Sequence, residues 1–349
     1  MSIYGAATTD APTFDDHSHV YDAILVMSFG GPEGMDDVIP FLENVTRGRN
    51  IPRERLAEVA HHYELFGGVS PINMQNRTLI AALKTELETH GIDLPIYFGN
   101  RNWHPLISDT VRQMRDDGIK RAIAFFTSSF SSYSGCRQYR EDIIQASEAV
   151  ERAPVIDKIR VFYNHPGFIR SNADHLQKAL NEFPVERREN VRVAFTAHSI
   201  PLAMAKHSDY EAQLREACRL VAEEAGINTY ELVYQSRSGS PHSPWLGPDI
   251  MEYLQTLYSQ GVGDVIIHPI GFISDHMEVL YDLDKEAAEK AQALGMRMVR
   301  SATSGTHPAF VRMIRELIVE RMTENPERLA LGHCGPNHDI CPLDCCLKG

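Results

Sequence analysis

The sequence predicts an α/β protein made of two similar Rossmann-like domains, each a parallel sheet flanked by helices. Two observations carry this prediction: apolar runs of strand length recur along the chain, and amphipathic helical patterns lie between them. The spacing of the runs suggests two halves, residues 20–160 and 161–325. We expect a flexible N-terminus over 1–19 and a cysteine-rich tail over 326–349.

The first predicted strand covers residues 23–29, an apolar run that ends at a Gly-Gly-Pro turn over 30–32. A run of this kind fits a strand that is buried on both faces of a parallel sheet. The turn lacks the G-x-G-x-x-G pattern, so dinucleotide binding is only weakly indicated. Further strands are predicted at 95–99, 121–127, 191–197, 231–234 and 264–270.

Helical patterns separate the strands, because apolar residues recur there at intervals of three and four, as on the buried face of a helix. The recurring residues are Leu79, Leu83 and Leu87 in one segment and Leu214, Cys218, Val221 and Ala225 in another. A last helix is predicted from about Pro308 to Thr323. Since Cys218 lies on an apolar helix face, we expect it to be a small core residue.

The composition argues against several classes of protein. The 349 residues are 43% hydrophobic and 23% charged, as in ordinary globular proteins, and 34 basic against 47 acidic residues leave a net charge of −13. This charge disfavours nucleic-acid binding. No apolar stretch approaches the ~18–20 residues of a membrane span, and the polar N-terminus does not read as a signal peptide. We therefore expect a cytoplasmic protein.

The six cysteines are not spaced like a disulfide framework, because four of them crowd into the last sixteen residues. In a reducing cytosol such a cluster more often binds a metal than forms disulfides. The tail is therefore a candidate metal site.

One candidate functional residue is His198, in the segment FTAHSIP over 195–201. It stands at a predicted strand end, before a turn that contains proline, and ligands of open α/β sheets collect at such ends. A histidine here either carries function or is a hydrogen-bonded structural residue, and the pattern alone leaves both readings open.

A second candidate segment follows the strand predicted at 264–270. Ser274 or Asp275 is expected to cap a helix on which Glu278, Asp282 and Glu286 recur at intervals of four, in one line. Carboxylates in a line suit a divalent cation that is held loosely and passed along. The alternative is a solvated acidic helix face.

Trp245, fixed between prolines in the segment PWLGP, is a third candidate. It either stacks on a flat ligand or is a packed loop aromatic. If His198 faces the acidic line across a cleft, the site would hold a divalent metal and a proton acceptor on either side of a planar nitrogen ligand.

Seven segments together resemble the signatures of the ferrochelatases, in the correct order and over about residues 20–325. They are residues 25–32, 67–72 (GGVSPI), 97–101 (YFGNR), 196–201 (TAHSIP), 235–239 (QSRSG), 244–248 (PWLGP) and 274–278 (SDHME). The resemblance implies two Rossmann-like domains with a porphyrin cleft between them, and an enzyme that inserts Fe²⁺ and releases two protons.

The resemblance also implies residue roles. His198 matches the active-site histidine of the family, to which pyrrole deprotonation or metal binding is assigned, and Glu278 matches the catalytic glutamate opposite it. Asp282 and Glu286 fall where the family carries acidic residues for metal delivery. Asp275 and His276 match supporting positions.

Departures within the family favour coproporphyrin III over protoporphyrin IX as substrate. Where membrane-associated relatives carry an apolar lip, residues 41–53 here are polar and include Arg47, Arg49 and Arg53, which could meet four propionates. Phe29 stands where some relatives have a tyrosine ligand to the product iron, which leaves Tyr63 as a candidate. The remaining expected porphyrin contacts are Ser70, Arg101, Tyr133 and Trp245.

The tail resembles that of the ferrochelatases that hold a 2Fe–2S cluster with one mid-chain and three C-terminal cysteines. The implied ligands are Cys136, Cys334, Cys341 and Cys346, with Cys345 as the alternate to Cys346. Four thiolates are what such a cluster needs. The cluster would pin the tail to the first domain, and a structural zinc is the alternative.

Two other functions remain open from the sequence. One is a cobalt or nickel chelatase for a sirohydrochlorin-type ring, and the other is a haem or iron–sulfur carrier without turnover. A base at His198 facing a carboxylate line argues against both. The expected partners are a porphyrin and Fe²⁺, without nucleic acid or an integral membrane segment, and the protein is expected to be a monomer.

Overall fold

The structure is a computed structural model that describes residues 19–48, 51–238 and 243–348. In this part of the chain, two four-stranded sheets form the framework. The first contains β1 Ala23–Ser28, β2 Ile96–Asn100, β3 Arg121–Phe126 and β4 Val155–Lys158. The second contains β5 Arg192–His198, β6 Tyr230–Gln235, β7 Asp264–His268 and β8 Arg297–Arg300.

The two sheets share one strand order. It is β2-β1-β3-β4 in the first sheet and β6-β5-β7-β8 in the second, and all neighbouring strands are parallel. In such sheets the carboxyl ends of the strands meet at one edge, where ligands bind. The α/β class with two similar parallel sheets is confirmed.

Helices flank the sheets and link the strands. They are α1 Met35–Val45, α2 Arg53–Glu64, α3 Ile72–Thr89, α4 Ile107–Asp116, α5 Gln138–Glu148, α6 Pro166–Asn181, α7 Leu202–Ala205, α8 Tyr210–Ala225, α9 Ile250–Ser259, α10 Met277–Val279, α11 Ala288–Ala293 and α12 Pro308–Met322. The segments Tyr133–Arg137 and Leu280–Ala287 are π-helical, and Val185–Asn190 is a 3-10 turn. None of the helices in the described residues is long and apolar enough to span a membrane.

The sequence does not predict β4 and β8. Each has four residues and lies at the edge of its sheet. Each also contains charged side chains, in the sequences VIDK and RMVR, so the continuous apolar run of a central strand is missing. The six strands predicted from apolar runs are all present.

Helix α12 joins the two halves. Pro308 opens it, and the ring of His307 accepts a hydrogen bond from the backbone N–H of Ala309, an arrangement that suits a helix N-terminus. Its buried face includes Phe310, Ile314 and Leu317. It packs against α3 of the first half and α6 of the second, so it lies at the junction of the halves.

The hydrophobic core runs across this junction. One cluster of buried apolar side chains contains Ile24 and Val26 of β1, Phe195 of β5 and Phe310 of α12. Since β1 and β5 belong to different sheets, the two halves share a core. Cys218 of α8 is buried in the same cluster, which confirms its prediction as a core residue.

Candidate functional site

The site lies at the carboxyl edge of the second sheet. Strand β5 ends at His198 and β6 at Gln235, and the two residues are paired across the sheet. The connection after β7 brings Glu278 to the same edge, because the side-chain amide of Gln235 donates to its carbonyl oxygen at 2.9 Å. Parallel strand ends therefore place these three residues together.

His198 and Glu278 face each other directly. Nε2 of the imidazole lies 3.5 Å from Oε1 of the carboxylate, with 31% and 46% of the two side chains exposed. Nδ1 lies 2.5 Å from the carbonyl oxygen of Ser199. Because a carbonyl only accepts, Nδ1 carries a hydrogen, and Nε2 is the nitrogen that is left able to exchange a proton or to bind a metal ion.

The two side chains shift each other's pKa in opposite directions. Burial lowers the pKa of His198, but the charge of the Glu278 carboxylate and the hydrogen bond to it outweigh burial and raise the pKa to about 9. Burial raises the pKa of Glu278, and the His198 charge overcomes this effect and lowers it to about 2. At neutral pH the pair is an imidazolium beside a carboxylate.

The segment before Glu278 is held by its own side chains. Nδ1 of His276 accepts a hydrogen bond from the backbone N–H of Glu278 at 3.1 Å, and Nε2 lies 3.9 Å from the carboxylate. His276 is thus the N-terminal cap of α10, whereas the sequence predicts Ser274 or Asp275 as the cap. Burial lowers the pKa of His276, which keeps this cap neutral.

Gln75, which the sequence analysis misses, ties the first half to this segment. Its side-chain oxygen accepts from the backbone N–H of Asp275 at 2.8 Å, and its Nε2 donates to the Asp275 carbonyl at 3.2 Å. The Asp275 carboxylate in turn pairs with Arg300 at 2.9 Å. A glutamine on an amphipathic helix carries no sequence signal of such a contact, because its partner is 200 residues away.

Asp282 and Glu286 of the acidic line lie on a π-helical segment rather than on the expected α-helix, and Glu278 precedes them in the short helix α10. Asp282 accepts hydrogen bonds from Ser236 and from Gln235. Burial and the neighbouring carboxylates of Glu278 and Glu286 raise the pKa of Asp282 to about 7, against the hydrogen bond from Ser236. Short π-helical insertions are rare and occur frequently at functional sites.

Burial raises the pKa of Glu286 too, against a hydrogen bond from Tyr281. The second and third carboxylates of the line are thus poised to take up protons as well as cations.

Aromatic side chains of the first half face this site. Phe29, 37% exposed at the end of β1, meets Phe41 edge-on, and Phe41 meets Tyr63 in the same way. Burial and the nearby Glu278 carboxylate raise the pKa of Tyr63 well above its usual value. Tyr63 is therefore near enough to Glu278 to respond to its charge.

A ring contact also joins the first half to the acidic segment. His62 of α2 stacks on Tyr281 of the acidic segment, with the ring centres 3.8 Å apart and the planes within 8°. The hairpin formed by α1 and α2 therefore touches the acidic segment directly, beside the site.

The predicted propionate contacts fall into two groups. Arg47 and Arg53 are exposed; the first donates to Asn44 at 2.5 Å, and the second lies 3.8 Å from Glu43. Arg49 lies outside the described residues.

Arg101 differs, because its side chain is 5% exposed, forms an ion pair with Asp142 and lies 4.8 Å from the ring of Tyr139. Its charge is compensated inside the protein, so it is a poor propionate ligand in this arrangement.

The other expected porphyrin contacts differ in exposure, since Ser70 is buried and Tyr133 and Trp245 are half-buried. Ser70 is 4% exposed, and its backbone N–H donates to the Pro32 carbonyl. The Tyr133 hydroxyl donates to Glu141 at 3.1 Å. Trp245 pairs with Pro201 just beyond His198, and its buried Nε1 has no hydrogen-bond partner among the described residues. This position next to the His198 turn is compatible with a ring-stacking role.

A second cluster of functional groups joins the tail to the first half. Sγ of Cys345 lies 3.4 Å from Sγ of Cys346. Ligand atoms of His338, Cys341 and Cys345 all lie within 4.8 Å of one another. Cys136, buried in the first π-helical segment, forms a hydrogen bond with Cys341.

Cys334 does not join this group. Its side chain is exposed and contacts the hydroxyl of Tyr163. Of the four cluster ligands that the resemblance implies, the structure therefore brings Cys136, Cys341 and Cys346 together and adds Cys345, the alternate.

Buried ion pairs fix the tail beside these cysteines. Arg160, almost completely buried, donates to Glu320 of α12 at 2.7 and 3.0 Å and to the carbonyl of Leu329. Arg328 bridges Glu320 and Asp339. Because each charge has a buried or half-buried partner, the tail is held in place without regular secondary structure.

Comparison with known proteins identifies the family. The ferrochelatase family model matches residues 21–322. The chain belongs to the ferrochelatase family. A protein named ferrochelatase from Rhodopirellula baltica is 57% identical over 329 residues, which cover 94% of this chain and 93% of that protein. A protein named coproporphyrin III ferrochelatase from Streptomyces griseus is 50% identical to this chain, and the alignment covers 93% of each of the two proteins.

Solved structures agree on the fold. SirB from Bacillus subtilis with Fe³⁺ superposes with a TM-score of 0.54 at 13% identity, over 86% of this chain and 97% of SirB. The sirohydrochlorin chelatase SirB from the spizizenii subspecies, in complex with cobalt, gives a TM-score of 0.51 at 10% identity, over 87% and 96% of the chains. At these identities the likeness concerns the architecture alone.

Proposed function

We propose that the protein inserts Fe²⁺ into coproporphyrin III and releases the two pyrrole N–H protons. The observation that carries the proposal is Nε2 of His198 facing the Glu278 carboxylate at 3.5 Å, at the ligand-binding edge of the second sheet. Relatives about half identical over most of the chain bear the name coproporphyrin III ferrochelatase, which supports the same reaction here.

His198 is the proton acceptor in this proposal. In the free enzyme its pKa of about 9 keeps it protonated at neutral pH, so it must first become neutral. A cation that approaches Glu278 cancels the carboxylate charge that raises this pKa, and the imidazole then releases its proton. The arrival of iron thus generates the base that removes a pyrrole proton.

The acidic line completes the proton and metal path. Two protons leave the ring for each Fe²⁺ that enters, so His198 must be relieved of its proton during each turnover. Asp282, whose pKa is about 7, is poised to take up or release a proton near neutral pH. With Glu286 it also supplies oxygen ligands that suit a loosely held divalent cation.

The choice of coproporphyrin III rests on the exposed cations of the lip. Arg47 and Arg53 are exposed. Arg47 donates to Asn44 and Arg53 lies 3.8 Å from Glu43, and these surface contacts can be exchanged for contacts with the two propionates that distinguish this ring from protoporphyrin IX. The macrocycle itself needs apolar contact, which Phe29 supplies from β1.

The test is anaerobic Fe²⁺ insertion followed by absorbance, with coproporphyrin III and protoporphyrin IX side by side. We expect loss of the free-base bands with coproporphyrin III, and a raised KM for that ring in Arg47→Ala/Arg53→Ala. Arg152→Ala, an equally exposed arginine, is the matched control. Preference for protoporphyrin IX would overturn the substrate assignment, and binding of both rings without metallation would favour a carrier.

We further propose a 2Fe–2S cluster at the tail. The donor set fits, because the thiols of Cys136, Cys341, Cys345 and Cys346 converge and a cluster needs four such ligands. Because of its position, Cys345 is the fourth ligand of the proposed cluster in place of Cys334. When bound, a cluster of this kind can take up one electron and would fasten the tail to the first half.

Iron and sulfide analysis with the visible spectrum of the purified protein tests this site. Cys136→Ser should lose the cluster, while Cys218→Ser, a change in the core, should keep it. Cys334→Ser should keep it as well; loss there would restore the ligand set implied by the resemblance. Stoichiometric zinc without sulfide would instead establish the structural-zinc alternative.

The cytoplasmic location, the monomeric state and the domain limits at 160 and 325 stay predictions. Size-exclusion chromatography with light scattering tests the monomer, and fractionation of the source cells tests the location.

A further inference from the structure

We propose that Lys158 and Arg140 are counter-ions of an anionic metal group held by the tail cysteines, and that they set its reduction potential. The inference rests on the proposed cluster. It concerns two side chains that the insertion chemistry does not use and that the sequence analysis does not single out.

Both cations are buried. Lys158, at the end of β4, is 3% exposed, and Arg140, on α5, is 6% exposed. Neither has a carboxylate within ion-pair distance among the described residues, whereas the neighbouring Asp157 is already paired with Arg121. A buried cation without an anion costs several kcal/mol. These two positions therefore require negative charge nearby.

The segments that carry the cysteines adjoin both cations. The Lys158 ammonium lies 3.5 Å from the carbonyl of His338, in the tail segment that leads to Cys341. Arg140 follows Cys136 by four residues on a continuous helical segment, which places both on one face.

The tail packs on this same helical segment. Arg137 donates from Nη1 to the carbonyls of Leu343 and Cys345 at 2.8 and 2.9 Å. The Nε of Arg140, one turn further along, has no hydrogen-bond partner among the described residues.

Other cations near the tail cysteines have acidic partners. Arg137 is neutralised by Glu141, and Arg328 by Glu320 and Asp339. Lys158 and Arg140 have no such acidic partner among the described residues, although both are buried.

The negative charge that these cations need is supplied when the thiols are deprotonated and hold a metal group.

A 2Fe–2S cluster with four thiolates carries a charge of about −2, and one-electron reduction makes it more negative. Positive charge in a low-dielectric surrounding stabilises the reduced form more than the oxidised form. Removing either cation should therefore make reduction harder. We expect the ratio of reduced to oxidised cluster at a fixed applied potential to fall roughly tenfold for each charge removed.

The experiment is a redox titration of the anaerobically purified full chain, followed by the electron paramagnetic resonance of the reduced cluster. Variants are Lys158→Met and Arg140→Met, with Lys158→Arg and Arg140→Lys to restore the charge. Lys178→Met and Arg112→Met, both exposed on other helices, are the matched controls. Circular dichroism checks the fold of each variant.

A lower midpoint potential in the Met variants, restored by the charge-conserving ones, supports the proposal, and so does cluster loss confined to the Met variants. Potentials within the spread of the controls would overturn it, as would cluster loss in the charge-conserving variants. Absence of iron and sulfide from the unaltered protein would instead contradict the cluster itself, so the two failures are distinguishable.

Discussion

The two sheets of this protein have the same strand order but different side chains at their carboxyl edges. In the second sheet the strand ends carry His198 and Gln235, and the connection after β7 adds Glu278. In the first sheet the corresponding ends carry Ser28 and Asn100, which are buried. The two sheets therefore share a topology but present different functional groups at their carboxyl edges.

The difference shows that topology places the site and that strand-end residues decide its chemistry. The first half contributes aromatic surface at Phe29 and Tyr63 and the thiol of Cys136. The second half contributes His198, the proposed proton acceptor, and the carboxylates. Substitutions in the two halves should thus have effects of different kind and size.

The largest effect is expected for His198→Ala. Loss of a positioned proton acceptor should lower kcat by about 10²–10⁴-fold and leave porphyrin affinity near normal. His207→Ala, an exposed histidine of the same half, is the control. Steady-state insertion rates and fluorescence titration with porphyrin measure both quantities, and full turnover in His198→Ala would refute the role of this residue.

The second largest effect is expected on the pH dependence of kcat/KM in the Glu278→Gln variant. In the unaltered enzyme the acid limb of kcat/KM reflects deprotonation of His198, with a pKa of about 9. In Glu278→Gln the carboxylate charge that raises the pKa of His198 is gone. The acid limb of the profile should therefore move to lower pH, toward the ordinary histidine pKa of about 6.5. A limb that stays in place would show that the Glu278 carboxylate does not control this titration.

The same pair makes stability depend on pH. Because folding raises the pKa of His198 from 6.5, its contribution is complete below pH 6.5 and is lost as pH rises through about 9. Because folding lowers the pKa of Glu278 from 4.5, its contribution is complete above pH 4.5 and is lost as pH falls through about 2. The Tm difference between the unaltered protein and His198→Ala should be largest between these limits and shrink toward pH 9.

A smaller effect is expected at the contact between the halves. Gln75→Leu keeps the volume of the side chain but removes two hydrogen bonds to Asp275, each worth about 0.5–1.5 kcal/mol. Denaturant unfolding should show a loss of about 1–3 kcal/mol. The rate should also fall, because the segment that carries Glu278 is less firmly held. Gln113→Leu on α4, which is exposed, should change neither quantity.

The smallest effect is expected at Phe29. Phe29→Leu removes an edge contact with Phe41 and a surface for the macrocycle, a change of about 0.5–1.5 kcal/mol. Porphyrin affinity should fall less than about tenfold, with kcat unchanged. A large loss of kcat would contradict the division between a binding half and a chemical half.

Much of this arrangement could be predicted from the sequence, because central strands are continuous apolar runs and the residues that follow them lie at one edge. His198 and Glu278 are brought together for that reason. The edge strands β4 and β8 escaped prediction, since charged residues such as Asp157 and Lys158 of β4 interrupt their apolar pattern.

The contacts of long range could not be predicted. Gln75 meets a backbone 200 residues away, and Arg101 is neutralised by Asp142 through folding. The placement of Cys345 rather than Cys334 beside Cys341 likewise depends on the path of an irregular tail. Local spacing contains no information on any of these contacts.

The core shared by the two sheets has a consequence for cooperativity. Since α12 packs on α3 and α6, and Ile24 and Phe195 belong to one buried cluster, neither half can unfold without exposing apolar surface of the other. Calorimetry should therefore record a single endotherm, and a fragment limited to one half would expose its share of that surface. The duplicated topology thus behaves as one thermodynamic unit.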